Sequence, residues 1–132
     1  MIVVDSSVWI ANLRDQPLAA VRTLRDPAIA DEILMGDIVL TEVLQGARDE
    51  AHAARLEAGL RSFPVVAMVG EHMAAKAARH YRRLRAAGVT MNKIADLFIG
   101  TFCIEHGHKL LQCDADFEPM AMLCGLQLLR QT

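Results

Sequence analysis

Four acidic residues lie where the surrounding sequence offers them little polar surface. They follow apolar strands or interrupt apolar helices, and they are Asp5, Glu42, Asp96 and Asp114. An isolated buried carboxylate is costly, so each needs a cation, hydrogen-bond donors or a proton held by a raised pKa. Within these apolar runs, the one basic residue at helical spacing from any of them is Lys93, one turn before Asp96. A divalent ion is the economical compensator, and all-oxygen ligation favours Mg²⁺, with Mn²⁺ as a substitute.

A metal ion that is only partly coordinated by carboxylates favours phosphodiester hydrolysis. The ion acidifies water, polarises the phosphate and shields the carboxylates from an anionic substrate. The formal net charge of −2 does not by itself indicate a nucleic-acid binder. Basic residues are nevertheless concentrated on one predicted helix, where they could guide RNA, although such a run is also compatible with a solvated face; they are Lys76, Arg79, Arg82, Arg83 and Arg85.

Each acid also has an ordinary structural interpretation. An Asp at the end of a strand often caps the next helix, so Asp5 alone is open between cap and ligand. Glu42 alone fits an exposed helical position better than a ligand. Asp96 alone favours function, because a polar residue in an apolar helix needs a hydrogen-bonding explanation. Asp116 is assigned to capping the turn before Pro119 in preference to direct ligation.

The elements that must position these acids alternate between short apolar strands and helices. Strands are predicted at 2–4, 32–35, 64–68, 109–113 and 126–129, and helices at 6–13, 17–25, 37–46, 49–61, 71–87 and 91–106, with Ser6-Ser7 and Thr90 as caps. This alternation predicts an α/β fold, a three-layer α/β/α domain with a central, mainly parallel sheet of about five strands. Ligands of such folds bind beyond the carboxyl ends of the strands. Asp5 and Asp114 therefore converge if their strands are neighbours.

The bulk composition limits the protein's class. With 132 residues and 53% hydrophobic content, the chain is predicted to form a single domain, residues 1–132. Its apolar stretches are too short or interrupted for a membrane span, and it begins without a signal-peptide pattern, so a cytoplasmic location is expected. The odd number of cysteines and their apolar surroundings predict reduced core residues at Cys103, Cys113 and Cys124.

Three segments resemble the signature blocks of VapC-type PIN-domain toxins, in the family's order and across nearly the whole chain. They are MIVVDSSVWIANLR, LTEVLQGAR and ADLFIGTFCIEHGHKLLQCDADFEPMA. The resemblance implies that the protein cuts RNA, often a tRNA or a ribosomal RNA, with the help of Mg²⁺ or Mn²⁺. The metal ligands that it implies are Asp5, Glu42, Asp96 and Asp114. Ser7 matches a position that carries a small hydroxyl or amide residue in the family. The resemblance also implies a homodimer and a small VapB-like antitoxin that fills the active-site groove.

Two other classes of function remain as alternatives. A phosphotransfer receiver or phosphatase also uses a strand-end Asp with Mg²⁺. The phosphatase alternative fits the sequence poorly. Phosphatases that resemble haloacid dehalogenases carry a D-x-D motif after the first strand, whereas Asp5 is followed by two serines. The second alternative is a catalytically inactive module whose acidic groove receives an antitoxin's arginine. An antitoxin helix is expected to bind apolar surface near Trp9 and the helix from Ile38.

Overall fold

Five strands form one parallel sheet in the computed structural model, which describes residues 1–130. The strands are β1 (Ile2–Val4), β2 (Ile33–Gly36), β3 (Val65–Val66), β4 (Lys109–Leu111) and β5 (Gln127–Leu128), in the spatial order β3-β2-β1-β4-β5. In the register of the sheet, Ile2 lies opposite Ile33 on one side and Lys109 on the other. The first strand is therefore central, which explains its continuous β-branched sequence.

Helices cover both faces of this sheet. They are α1 (Ser6–Leu13), α2 (Ala19–Leu24), α3 (Asp37–Leu44), α4 (Glu50–Leu60), α5 (Glu71–Ala86), α6 (Ile94–His106) and α7 (Glu118–Leu123), with 3-10 turns at Pro27–Glu32 and Ala115–Phe117. Right-handed crossovers put α1 to α4 on one face and α5 to α7 on the other. The packing agrees, because α1 contacts α2 and α3 while α5 contacts α6 and α7. The predicted three-layer α/β/α architecture is confirmed.

The hydrophobic core lies between the sheet and its helices. Val3, Val4 and Leu110 on the two central strands are completely buried. Helix α6 is buried around most of its circumference, as its apolar sequence predicts. Helix α5 instead buries one stripe that includes Met73 and Leu84, so most of its basic residues face solvent. No helix within residues 1–130 is both long enough and apolar enough to cross a bilayer.

Helix α6 begins three residues later than predicted. Met91 is buried in the core, and residues 89–93 before the helix form no regular secondary structure. Lys93 occupies the N-cap position, and the prediction that Thr90 caps the helix is wrong. The cap of α1 is also different, because Asp5 and not the serine pair accepts the hydrogen bond there. The last helix, α7, was not predicted.

The three cysteines occupy different environments. Cys103 is buried on α6, and burial raises the pKa of its thiol to about 12. Cys124 is half-buried at the end of α7, and Cys113 is exposed because β4 ends two residues before it. The prediction of free thiols agrees with the structure. The prediction of core positions is correct for Cys103 alone.

Candidate active site

The candidate site lies at the carboxyl edge of the two central strands. Asp5 directly follows β1, and Asp114 lies three residues beyond β4. These strands are neighbours, and the Asp5 amide extends their ladder by donating to the Leu111 carbonyl at 2.9 Å. The condition for the two acids to approach each other is therefore met.

Asp5 combines a structural role with an unused acceptor. Its Oδ2 atom accepts hydrogen bonds from the backbone amide and the hydroxyl of Ser7, which caps helix α1. Its Oδ1 atom is buried and has no hydrogen-bond partner among residues 1–130. Burial raises the pKa of this carboxyl, with a smaller contribution from the negative charge of Asp114, while the Ser7 hydrogen bonds oppose the shift. The side chain is 2% exposed, so water does not solvate the free oxygen.

Asp96 is held in the first turn of α6, where the helix dipole favours an acid. It is 4% exposed, and its Oδ2 atom also lacks a partner within the described chain. Burial, followed by the negative charge of Asp5, raises its pKa to about 7, although Lys93 opposes the shift. A carboxyl group in this state is half-ionised near neutral pH unless a further cation approaches it.

Three carboxylates come together at this edge. Oxygen atoms of Asp96, Asp114 and Asp116 all lie within 4.8 Å of one another. Asp114 caps the following 3-10 turn, because its Oδ1 atom accepts from the Asp116 amide at 3.0 Å. The prediction that Asp116 is the cap of this turn is wrong, and its carboxylate instead lies in the cluster. The D-x-D spacing was the available signal, but it fits both arrangements until the geometry of the turn is known.

Glu42 lies on α3 at the border of the cluster. It is half-buried, and the hydroxyl of Ser6 donates to its Oε1 atom at 3.0 Å. Burial raises its pKa, and the negative charge of Asp5 adds to the shift. Glu42 also raises the pKa of Asp96, so the two acids share one electrostatic environment. Ser6 was assigned to helix capping from the sequence, and its contact with Glu42 was not predicted.

Lys93 brings a positive charge to this cluster of carboxylates. Its Nζ atom lies 3.3 Å from Oδ2 of Asp114 and 3.8 Å from Oδ2 of Asp116. The lysine side chain is 60% exposed, so it neutralises the solvent-facing side of the cluster. Among the described residues, no basic side chain forms an ion pair with the buried Asp5 or Asp96. A single surface ammonium group is a weak compensator for this number of carboxylates.

The residues present fit a divalent metal ion. Asp5 and Asp96 each keep one buried carboxylate oxygen that has no partner within residues 1–130, which the fold alone leaves unexplained. The carboxylates of Asp114 and Asp116 add oxygen atoms beside Asp96, and Glu42 adds negative charge. Hard cations with all-oxygen ligation match this donor set.

Comparisons with known proteins agree with this description. Residues 2–122 match the PIN domain family. The VapC ribonuclease Mb1587 of Mycobacterium bovis and ribonuclease VapC11 of Mycobacterium tuberculosis are each 32% identical to this chain over 131 residues, which is 96% of both lengths.

Solved structures share the fold. VapBC2 from Rickettsia felis, bound to a DNA fragment from its promoter, superposes with a TM-score of 0.77 at 16% identity and covers 100% of both chains. VapBC-1 from nontypeable Haemophilus influenzae gives a TM-score of 0.75 at 15% identity over 98% of this chain and 97% of the other. The chain belongs to the PIN-domain family and, within it, to the VapC ribonucleases.

Proposed function

We propose that this protein is a metal-dependent endoribonuclease and the toxin of a type II toxin–antitoxin pair. The observation that carries the proposal is the pair of buried, unpartnered carboxylate oxygens of Asp5 and Asp96 at the carboxyl edge of the sheet. Membership of the PIN-domain family and the names of the mycobacterial relatives support the same activity. The proposal treats residues 1–132 as one PIN domain acting in the cytoplasm, where its RNA substrate is made.

The metal ligands of this proposal are Asp5, Glu42, Asp96 and Asp114, with Mg²⁺ as the ion and Mn²⁺ as a substitute. Asp116 is added as a candidate ligand, because its carboxylate lies with those of Asp96 and Asp114. A bound divalent ion would supply Lewis-acid chemistry, acidifying water and polarising a phosphate oxygen of the RNA.

The protein's own residues prepare this chemistry. Ser7 fixes Oδ2 of Asp5, so the remaining Oδ1 atom has a defined orientation, and Ser6 does the same for Glu42. Burial of Asp5 and Asp96 removes competing water from the floor of the site. In the hydrolysis, a new bond forms between water oxygen and phosphorus, the phosphodiester bond to the leaving oxygen breaks, and that oxygen gains a proton.

The direct test is incubation of the purified protein with structured tRNA and ribosomal RNA, with Mg²⁺ or Mn²⁺ and with EDTA. We expect internal cleavage with either metal and none with EDTA. Labelling of the protein by a small phosphodonor would support the phosphotransfer alternative. Binding of an antitoxin without cleavage of any RNA tested, with either metal, would support the inactive-module alternative.

We further propose that a VapB-like antitoxin binds the groove between α1 and α4. One cavity of about 290 Å³ is lined by Ile10, Leu13, Glu42 and Leu56, among others, and a second, of about 200 Å³, lies beside Trp9. The cavities share Leu13 and Leu56, so they form one groove that ends at an acid of the site. Its surface is mostly apolar, and Arg14, Arg48 and Arg55 also line it. An amphipathic helix fits the groove, and an arginine that follows it can reach the carboxylates.

Metal and antitoxin should then compete, because a guanidinium group and a divalent ion require the same carboxylate oxygens. Calorimetry over a Mn²⁺ series should show weaker antitoxin binding as the metal concentration rises, and the dependence should disappear in Asp96→Asn. If antitoxin affinity for the wild type does not change with metal concentration, the proposed role of the arginine is wrong.

We also propose that the toxin acts as a homodimer. Light scattering of the purified protein, which measures its molar mass in solution, tests this proposal.

A further inference from the structure

Lys93 lies at the solvent-facing rim of the acid cluster formed by Asp96, Asp114 and Asp116, and the fold does not depend on its side chain. The residue precedes α6, and its side chain is 60% exposed. Its ammonium group contacts Asp114 at 3.3 Å and Asp116 at 3.8 Å. Exposed ion pairs of this kind contribute between zero and about 1 kcal/mol to stability, so folding does not explain a lysine in this place.

The positive charge of Lys93 acts on the whole cluster. It lowers the pKa values of Glu42 and Asp96, against the larger effect of burial, and Asp114 in turn raises the pKa of the lysine. The charge is therefore tied to the carboxylates that are candidates for metal binding. A metal ion that takes the oxygen atoms of Asp114 would displace the ammonium group, because two cations cannot occupy the same acceptor positions.

An RNA substrate also needs positive charge at the carboxyl edge of the sheet. The carboxylates gathered here outnumber the charges of one divalent ion, so the occupied site would still repel an RNA phosphate. Asp5 and Asp96 form the buried floor, whereas Asp116 and Lys93 are exposed at the rim, from which RNA must approach. A flexible four-carbon side chain with three donors can turn from the rim carboxylates to a phosphate.

We propose that Lys93 is a substrate-binding residue that exchanges partners: it neutralises Asp114 and Asp116 in the metal-free protein and binds an RNA phosphate once metal occupies the site. This inference rests on the proposed metal-dependent ribonuclease function. It assigns two separable effects to one side chain. Lys93 opposes metal binding by competition, and it promotes RNA binding only when metal is present.

Metal binding tests the first effect without any turnover. Calorimetric titration of the purified protein with Mn²⁺ should give an affinity about three- to tenfold higher for Lys93→Met than for wild type, since a competing charge is removed. Lys109→Met is the matched control, because Lys109 is exposed at the opposite end of β4. The control should bind Mn²⁺ as the wild type does. Lys93→Arg keeps the charge and should restore most of the competition.

RNA binding tests the second effect. Fluorescence anisotropy with a single-stranded RNA in Ca²⁺, at times when the RNA is intact on a gel, should show binding about tenfold weaker for Lys93→Met. The slope of log affinity against log salt concentration should fall by about 0.7, the value for one phosphate contact on a single strand. In EDTA, the variant should lose much less RNA affinity than it loses with metal, because there Lys93 is paired with the acids and only its neutralisation of their charge is removed.

The outcomes separate this inference from the function on which it rests. If the wild type binds metal and cleaves RNA but Lys93→Met matches Lys109→Met in both titrations, the partner exchange is wrong and the ribonuclease function stands. If RNA binding weakens equally with metal and in EDTA, Lys93 is an ordinary phosphate contact and the exchange is again wrong. If the wild type neither binds metal nor cleaves RNA, both proposals fail. Equal melting temperatures for all variants establish that folding is not the cause.

Discussion

The amino and carboxyl edges of the parallel sheet differ in how they accommodate charged side chains. At the amino edge, the charged side chains of Glu32 and Lys109 are exposed to water. At the carboxyl edge, Asp5 and Asp96 are buried, and each keeps an oxygen atom without a partner in the described part of the chain. Within residues 1–130, no carboxylate oxygen at the amino edge is both buried and unpartnered. Charged side chains at the amino edge are therefore solvated, whereas those at the carboxyl edge are buried away from water. Burying unsolvated carboxylates lowers the stability of the fold, and such a cost indicates a functional site.

The strongest test of this contrast removes one charge from each edge. Asp96→Asn should reduce RNA cleavage by about a thousandfold or more, because the amide keeps the shape of the carboxylate but loses the charge that holds the metal. Asp31→Asn makes the same change at the exposed amino edge and should leave cleavage unchanged. Initial rates on one RNA substrate, at saturating Mg²⁺, measure both effects.

The folding of these variants decides how the result is interpreted. Asp96→Asn should retain the circular dichroism spectrum of the wild type and stop growth arrest when it is expressed alone in a bacterium. Full cleavage activity or continued toxicity in this variant would show that the acids at the carboxyl edge do not form the catalytic metal site. Loss of structure would equally contradict a site in which removal of repulsion stabilises the metal-free chain.

A smaller effect is expected in the pH dependence of stability. The pKa of Asp96 is raised from 3.8 to about 7 in the folded protein. Between these two values the folded state binds more protons than the unfolded chain, so the free energy of unfolding falls as the pH rises through this window. At about 1.4 kcal/mol for each pKa unit, the metal-free protein should lose about 2 to 4 kcal/mol between pH 4 and pH 7.5. Asp5 and Glu42 shift in the same direction.

Urea denaturation in EDTA at a series of pH values measures this slope. His80 and His108 have pKa values lowered by burial, and they contribute stability in the opposite direction as the pH rises. The comparison with Asp96→Asn removes their contribution, because the histidines are the same in both proteins. The variant should be more stable than the wild type at pH 7.5 and nearly equal at pH 4. An equal pH slope in the two proteins would mean that Asp96 is already compensated by the fold.

The sequence alone predicted the layers of the fold because they follow from local patterns. The β-branched run of β1 and the apolar circumference of α6 each identify a buried element without knowledge of its neighbours. The boundary at Lys93 was missed because Met91 belongs to the hydrophobic core, and burial overrides the helical pattern there. Such tertiary effects have no signal within a few residues of sequence.

The candidate site was predicted in part for the same reason. Asp5 and Asp96 were identifiable, since an acid beside apolar residues is anomalous wherever the chain folds. The cluster of Asp96 with Asp114 and Asp116 depends on the packing of α6 against β4 and the 3-10 turn after it, which no short motif specifies. The exact contact of Lys93 with Asp114 depends on the start of α6, so it required the structure.

The smallest effect is expected from the support of the floor of the site. Ser7 donates its hydroxyl to Oδ2 of Asp5, and this contact fixes the free Oδ1 atom where it is available to a metal. Ser7→Ala removes the hydroxyl but keeps the backbone amide that caps the helix, so the fold should lose about 1 kcal/mol or less. Partners that orient metal ligands typically contribute at least about tenfold to metal affinity, so Mn²⁺ binding should weaken by about that factor.

Calorimetry with Mn²⁺ measures this loss, and Ser62→Ala is the matched control. The Ser62 hydroxyl donates to the Gly59 carbonyl at 2.7 Å, after α4 and near the start of β3, so its removal deletes one hydrogen bond away from the carboxyl edge. The control should keep the metal affinity of the wild type. If both variants bind Mn²⁺ equally well, the orientation of Asp5 comes from its backbone cap alone. The difference between the two edges would then lie in the buried charges themselves and not in the hydroxyl groups that hold them.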